Sequence, residues 1–314
     1  MTYTWRALEA ADTQRWSALT TIVSDTDDTD DTDEAYGADD LAEELSDPAI
    51  DSSRDTIAVE DEDGTLVAVG QVMSPALRSD GSVRADFVGL VHPGHRGRGI
   101  GGALLDRLER RAGEAASERY PGASVRRQTH VGAQLGDARA LLEANGYRAT
   151  RYFHALGHRL HAGTPPAAAD PRVHRYDAKR DADVHGAHCE AFSTHWGFAP
   201  PDQERWHAWH TGSRTFRQAY SVVGLGAQRD IDGYVLTYQF HPGELWIGQI
   251  GVRPAVRGRG LARAMLLRTL ALAASDFEIV KLDVDSENAD GAGRLYESAG
   301  FTPLRTAVVY ERLV

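Results

Sequence analysis

A chain of 314 residues is long enough for two domains of ordinary size, each with its own core. Its formal charge of −12 comes from one stretch, residues 25–47, which holds twelve acids and no Lys or Arg; the remainder is near neutral, and lysine occurs only at Lys179 and Lys281. The lack of a basic face argues against nucleic acid as a partner, no apolar run approaches the ~20 residues of a membrane span, and a single cysteine, Cys189, excludes an internal disulfide framework.

In chain order, Met1-Thr-Tyr-Thr-Trp-Arg lacks the basic-then-apolar layout of a secretory signal, so a soluble cytoplasmic protein is expected. Residues 5–12 read as a strand leading into a helix. The acidic stretch that follows reads as a solvated, mobile insertion, since Thr/Asp repeats bury nothing and repel one another; an acidic lip attracting a cationic amine is the other reading. Residues 56–60 and 65–73 form a hairpin across Asp61-Glu-Asp-Gly64, and 83–91 form a further strand. A helix over 100–116, a strand over 124–131, a short helix over 137–145 ended by Gly146, and closing strands over 147–160 complete this half. Residues 161–171 have the composition of a linker. The order then repeats: 173–176 opens, 184–192 and 202–210 are helical, and 221–226 and 234–240 make a hairpin. The strand 245–252 leads to a helix ending near 274. Residues 279–284 are a strand, 289–298 a helix ended by Gly300 as the C′ glycine, and 301–313 close the chain.

The repeat is sharpest between the third strand and the long helix of each half. Arg-Gly-Arg-Gly occurs at residues 96–99 and again at 257–260, joining an extended apolar segment to an amphipathic Ala/Leu-rich one. A strand, a glycine loop and a helix make an anion site, because unpaired N–H groups and the helix dipole converge there. Glycine permits the left-handed turn and lets a phosphate approach the backbone. Gly97-Arg-Gly-Ile-Gly-Gly102 also satisfies the dinucleotide fingerprint, but Arg263 breaks it in Gly258-Arg-Gly-Leu-Ala-Arg263, and both loops follow several strands rather than the first.

Both copies share Val-x-Pro-x-x-Arg-Gly-x-Gly-x-(Gly/Ala), at residues 91–101 and 252–262. This resembles motif A of the GNAT acetyltransferase superfamily, whose Arg/Gln-x-x-Gly-x-(Gly/Ala) loop holds the pyrophosphate of acetyl-CoA. The resemblance implies an α/β chain of two tandem GNAT folds, each a splayed mixed β-sheet flanked by helices. The expected domains are 1–160, a linker 161–171, and 172–314. It also implies acetyl-CoA contacts at Ile250, Val252, Arg257, Gly258, Arg259, Gly260, Leu261, Ala262 and Arg263 in the second half, and at Val91, Arg96, Gly97, Arg98, Gly99, Ile100, Gly101 and Gly102 in the first.

The halves diverge where chemistry is decided. Residues 283–301 resemble GNAT motif B, in which Asn288 would contact the cofactor and Tyr296 would protonate the departing CoA thiolate. Aligned on the Gly-aromatic pair, the first half has Gln134 for Asn288 and Leu142 for Tyr296. A C-terminal catalytic half beside a degenerate N-terminal one resembles the mycothiol synthase family of tandem GNAT proteins. The resemblance assigns the Val252 N–H to the thioester carbonyl. The base is open: counting eleven residues back from Arg257 reaches Trp246, which cannot serve, whereas Glu244 has the same side-chain parity. Glu244 is the candidate base, directly or through water; an acid at a hairpin edge is the other reading.

The segment from His188 to His210 falls where GNAT proteins form the acceptor wall. His185, His188 and Cys189 have metal-ligand spacing without a second ligand cluster, so no metal is expected, and Cys189 lacks the partners of a nucleophile. The sequence thus predicts an acetyl-CoA-dependent N-acetyltransferase acting on a primary amine of a small molecule by direct attack in a ternary complex. A non-catalytic acyl-CoA-binding sensor is the alternative. Monomer and homodimer are both left open.

Overall fold

The computed structural model describes residues 2–27, 37–160, 170–287 and 292–313. In the first half these form β1 Thr4–Arg6, α1 Thr13–Asp27, α2 Ala38–Leu45, α3 Ser52–Asp55, β2 Thr56–Glu60, β3 Leu66–Val72, β4 Ala76–Leu77, β5 Val83–Val91, α4 Ile100–Arg119, β6 Val125–Gly132, α5 Gly136–Ala144 and β7 Arg148–Arg159. The second half forms β8 Val173–Arg175, α6 Asp181–Phe192, α7 Gln203–Trp206, β9 Val222–Leu225, β10 Ile231–Tyr238, β11 Glu244–Val252, α8 Leu261–Ala273, β12 Ile279–Asp285, α9 Ala292–Ser298 and β13 Thr302–Leu313. None of the described helices is long and apolar enough to cross a membrane.

Two compact units result, one of residues 1–152 with 305–314, the other of residues 153–304. In the first the strand order is β1-β2-β3-β5-β6-β13, and in the second β8-β9-β10-β11-β12-β7. Each sheet is mixed: β5–β6 and β11–β12 are parallel, and the other neighbours are antiparallel. The parallel pairing is short. It runs from Val83↔Val125 to Asp86↔Gln128 in one unit, and from Glu244↔Ile279 to Ile247↔Leu282 in the other. Beyond those rungs β5 and β11 continue to Val91 and Val252, while β6 and β12 stay with their antiparallel partners. Each sheet therefore splays open at its centre.

The closing strands depart from the expectation that each half completes itself. β13, the last strand of the second half, pairs with β6, and β7, the last of the first half, pairs with β12. Leu156 of β7 joins the apolar core beneath α8, and Val308 and Tyr310 of β13 join the core beneath α4. A duplicated sequence offers each sheet edge two chemically similar strands, so exchanging them sacrifices few contacts.

The acidic stretch is also more structured than expected. Its described part includes the end of α1 and all of α2, whose Leu41 is fully buried with Leu8, Trp16 and Leu19. Asp39 and Asp40 lie in the first turn of α2, and Asp40 Oδ2 accepts the Gly37 N–H at 3.0 Å, so the acids at this end of the stretch cap a packed helix; residues 28–36 of the expected insertion lie outside the described residues. α8 shows why the long helices form here. Leu261, Met265, Leu266, Thr269, Leu270 and Ala273 recur at helical spacing and are all buried against the sheet.

Candidate active site in the splayed sheets

The two glycine loops have one geometry. Gly97 and Gly99 have φ of 72° and 84°, Gly258 and Gly260 both 75°, all in the left-handed region that favours glycine. A Cβ built on any of the four meets no protein atom within 4 Å, so the glycines serve conformation and leave an open cradle. The ladder of α8 opens with Ala264 N–H donating to Gly260 O at 3.0 Å, and that of α4 with Ala103 N–H donating to Gly99 O at 3.1 Å. The N–H groups of Leu261, Ala262 and Arg263, like those of Ile100, Gly101 and Gly102, therefore lie ahead of the first helical bond.

The loop arginines act as struts. Arg257 Nε donates to Val252 O at 3.2 Å and its Nη2 to Ala191 O of α6 at 2.7 Å. Arg96 repeats the first bond, to Val91 O at 3.2 Å, but its other nitrogens bind Asp27 of α1 at 2.6 and 2.7 Å. The Arg96 guanidinium thus meets a bidentate carboxylate, and the two Arg257 bonds just described go to backbone carbonyls. Arg98 and Arg259 each hold a carbonyl four residues back.

Strand register sets the direction of the Val252 amide. Arg253 N–H donates to Asp232 O at 2.8 Å, one rung beyond the pair Gly233↔Val252. Antiparallel rungs alternate, so Val252 and Ile250 turn their N–H groups away from β10, toward the side where β12 has parted. Val91 is placed alike, since His92 N–H donates to Val67 O at 2.8 Å beyond Ala68↔Val91. One difference separates the halves: β10–β11 shifts register at Leu236/Thr237 and leaves Gly248 as an extra residue, whereas β3–β5 runs from Ala68↔Val91 to Val72↔Phe87 without a shift.

Leu142 and Tyr296 occupy equivalent places by hydrogen bonding as well as by alignment. Tyr147 N–H and Asn145 N–H both donate to Leu142 O at 3.0 Å, and Phe301 N–H and Ala299 N–H both donate to Tyr296 O at 3.0 Å. Tyr296 is 4% exposed and packs edge-on against Phe301 with ring centroids 6.0 Å apart. Among the described residues no side chain hydrogen-bonds its hydroxyl, and burial pushes its pKa well above the ordinary tyrosine value. Asn288 lies outside the described residues.

The face of the second sheet opposite α8 carries an aromatic and histidine cluster. His188, nearly buried, receives or donates a 2.6 Å bond between Nδ1 and Tyr234 Oη, and stacks on Phe192 at 4.7 Å with Trp206 at 4.8 Å. Burial lowers its pKa to about 3, and that of His210 to about 4. Tyr234 lies across Gly251: a Cβ there would fall 2.7 Å from Tyr234 Cε1. Tyr238 covers Gly248 in the same way, at 2.6 Å from its Cε2. These two contacts were missed in the sequence, although an isolated glycine within a strand signals a bulge or close approach. His185 Nε2 lies 3.4 Å from Cys189 Sγ and 2.9 Å from Pro201 O, and its Nδ1 is 2.8 Å from Gln203 Oε1. Burial raises the Cys189 thiol.

Glu244 opens β11 on this same face, since Leu245 and Ile247 turn to the core beneath α8 and Trp246 packs with the aromatic cluster. Its Oε2 pairs with Lys281 Nζ at 2.8 Å, and that lysine side chain is 6% exposed. The structure thus places Glu244 at the closed end of the parallel pair and Val252 at the open end.

Comparison with known proteins agrees with this geometry. The profile of the Acetyltransferase (GNAT) family matches residues 16–147 and again 182–301. The chain belongs to the GNAT acetyltransferase family. It is 33% identical over 264 residues to the mycothiol acetyltransferase of Kineococcus radiotolerans, covering 80% of each chain. It is 32% identical over 273 residues to that of Stackebrandtia nassauensis, covering 82% of each. A GCN5-related N-acetyltransferase from Sphaerobacter thermophilus has the same fold, with a TM-score of 0.79 at 23% identity over 99% of this chain and 95% of that one. A tandem GNAT protein from the clavulanic acid biosynthesis pathway shares it too, with a TM-score of 0.73 at 18% identity over 99% and 98%.

This GNAT chain is an acyltransferase, and acetyl-CoA is the donor of its family. The residues present suit that donor. The clearance over Gly258 and Gly260 and the unbonded N–H groups at the start of α8 follow directly on β11, whose pairing with β12 ends at Ile247↔Leu282.

Proposed function

We propose that the C-terminal half transfers acetyl from acetyl-CoA to the primary amine of a small molecule by direct attack. The pyrophosphate would rest on the N–H groups of Gly258, Gly260, Leu261, Ala262 and Arg263. The outward N–H of Val252, with that of Ile250 beside it, would bind the carbonyl oxygen as negative charge grows there. Tyr296 would give its proton to the departing thiolate; its raised pKa keeps that proton in place until a strong base forms nearby. Glu244, on the acceptor-facing side and paired with Lys281, would take the amine proton through water. The names of the relatives direct the acceptor toward mycothiol chemistry.

The observation that carries this assignment is the placement of Tyr296 where the other half has Leu142, under the same helix-end hydrogen bonds. The register shift at Gly248, present only beside the tyrosine-bearing half, supports it. The N-terminal half would hold CoA without transferring, or hold none. The test is release of free CoA from acetyl-CoA with the desacetylated precursor of mycothiol and a panel of simple amines. Turnover with at least one amine is expected. Absence of turnover with every amine, in protein that binds acetyl-CoA, would leave the sensor alternative in its place.

A further inference from the structure

The β2–β3 and β9–β10 hairpins have the same turn and different residues in it. In the first unit Asp61 N–H donates to Thr65 O and Gly64 N–H to Asp61 O, both at 3.1 Å. In the second, Gly226 N–H donates to Asp230 O at 3.0 Å and Arg229 N–H to Gly226 O at 2.9 Å. Gly64 and Arg229 therefore hold one position, and both have left-handed φ, of 77° and 64°. Glycine is the ordinary occupant there, because a Cβ crowds the following carbonyl. Among the described residues Arg229 is the one non-glycine with positive φ, and its exposed guanidinium meets no partner among them. A residue held in such a conformation directs attention to what its side chain does.

Arg229 lines a cleft of about 470 Å³ beside the second glycine loop. Arg172 and His174 line it from the start of β8, Asp232 from β10, Arg259 from the loop and Leu261 from α8. Arg172 ties the cleft to the loop: its Nη1 donates to Arg259 O, between Gly258 and Gly260, at 3.2 Å. Its Nε and Nη2 are held by the two oxygens of Asp170 at 3.0 and 2.7 Å. Three guanidiniums thus stand against two carboxylates, Asp232 in the lining and Asp170 behind Arg172. One positive charge is in excess with His174 neutral, and protonation of His174 would add another.

The first unit lacks two of the three arginines. Thr4 pairs with Glu60 just before the turn, and Arg172 has that place in the second unit, where Leu225 N–H donates to Arg172 O at 2.8 Å. Thr4 and Gly64 therefore stand where the second unit has Arg172 and Arg229, and only the loop arginine is common, as Arg98 and Arg259. The turn and the strand pairing form without the two arginines. They accompany the half that has Tyr296 and the bulge at Gly248.

Guanidinium forks match the oxygens of a phosphate and keep their charge at any working pH. The cleft borders the loop that would hold a pyrophosphate, so a ligand reaching both carries a further phosphate close to its diphosphate. Coenzyme A has one, a monoester on the 3′ carbon of its ribose, with nearly two negative charges and three acceptor oxygens.

We propose that this cleft binds the 3′-phosphate of the CoA donor through Arg172, Arg229 and Arg259, so that the second unit distinguishes CoA from its 3′-dephospho form. The site rests on the proposed seating of the pyrophosphate on the second glycine loop.

The test is calorimetry on the full chain with acetyl-CoA, acetyl-3′-dephospho-CoA and inorganic phosphate. It is read at the site lost in Ala262→Glu, which sets a carboxylate against the pyrophosphate. Acetyl-CoA should bind about tenfold or more tightly than its dephospho form. Arg229→Gly copies the first unit's residue and should fold normally, since glycine suits the left-handed turn. In it, as in Arg172→Thr, the preference should shrink to about threefold or less through weaker acetyl-CoA binding, with the dephospho affinity unchanged. Equal affinity of the wild-type chain for the two cofactors would overturn the proposal and leave the pyrophosphate seat standing. So would a preference that survives both substitutions. Acetyl-CoA binding unimpaired in Ala262→Glu would remove the pyrophosphate seat itself, and this site with it. Saturable binding of inorganic phosphate that Arg229→Gly abolishes, without preference between the cofactors, would assign the cleft to free phosphate instead.

Discussion

Replacing Tyr296 by Phe removes one hydroxyl from a side chain that is 4% exposed and keeps the ring against Phe301. Because no described side chain hydrogen-bonds that hydroxyl, its loss strands no partner, and stability should change by less than about 1 kcal/mol in either direction. If the hydroxyl protonates the leaving thiolate, kcat should fall ~10²–10⁴-fold, equivalent to about 2.7–5.4 kcal/mol of barrier. Acetyl-CoA affinity should hardly move, because the cradle over Gly258 and Gly260 is untouched. The raised pKa adds a condition: wild-type kcat should not decline through loss of the tyrosine proton below pH of about 10. Three measurements on one purified variant decide the matter: a thermal melt, a cofactor titration and turnover. A kcat within about twofold of wild type would refute the role, and the argument that Tyr296 against Leu142 marks the active half would fall with it.

Ala262→Glu adds an acid to the first turn of α8, which the helix tolerates, and sets it against the pyrophosphate; calorimetry should show acetyl-CoA affinity lost by at least a hundredfold. Gly101→Glu in α4 should leave most turnover intact, and equal losses in both variants, each shown to be folded, would refute the division of labour. Glu244→Gln should lower kcat most at low pH, where the amine is protonated; an unchanged pH–rate profile would return Glu244 to a purely structural partner of Lys281. Melting temperature should fall below pH 6.5. His188 is held neutral in the fold down to about pH 3, whereas an unfolded histidine takes its proton near 6.5. The unfolded state therefore binds more protons between those values, and stability present above pH 6.5 is lost as pH falls through that window. Over two pH units this amounts to about 2–3 kcal/mol, and His188→Gln should flatten the dependence; an equally steep slope in that variant would rule His188 out as its source.

The loops were legible because their chemistry is local. Left-handed φ at Gly97, Gly99, Gly258 and Gly260 requires glycine, and the helices after them need apolar residues at helical spacing, so both leave a signature in consecutive residues. Tyr296 was legible through its distance from Gly300, which ends α9. The bulge at Gly248 was not, because one extra residue shows only against the partner strand. Nor was the pairing of His188 with Tyr234, 46 residues away. The helix α2 escaped notice because its charge pattern resembles a solvated tract, while only Leu41, with Leu45 beside it, packs it on the core. The exchange of β7 and β13 left no trace, since the two strands have the same apolar alternation and either could close either sheet.

That interchangeability bears on how one half could lose its chemistry. The core beneath α4 includes Val308 and Tyr310 from the last strand of the chain, and the core beneath α8 includes Leu156 from the end of the first half. Each sheet is thus completed by residues encoded in the other half, and truncation at the linker would remove a paired strand from both. The two halves differ all the same at the positions proposed to carry the chemistry. Leu142, 7% exposed, fills the place of Tyr296, 4% exposed, with the same backbone bonds, Asp27 neutralises Arg96, and β5 pairs with β3 without a bulge. On the proposed assignment each of these differences would remove a service to the reaction, while the first unit keeps its core and its helix-end hydrogen bonds. The shared strands therefore tie the stability of the first unit to that of the second, whatever chemistry its own site performs.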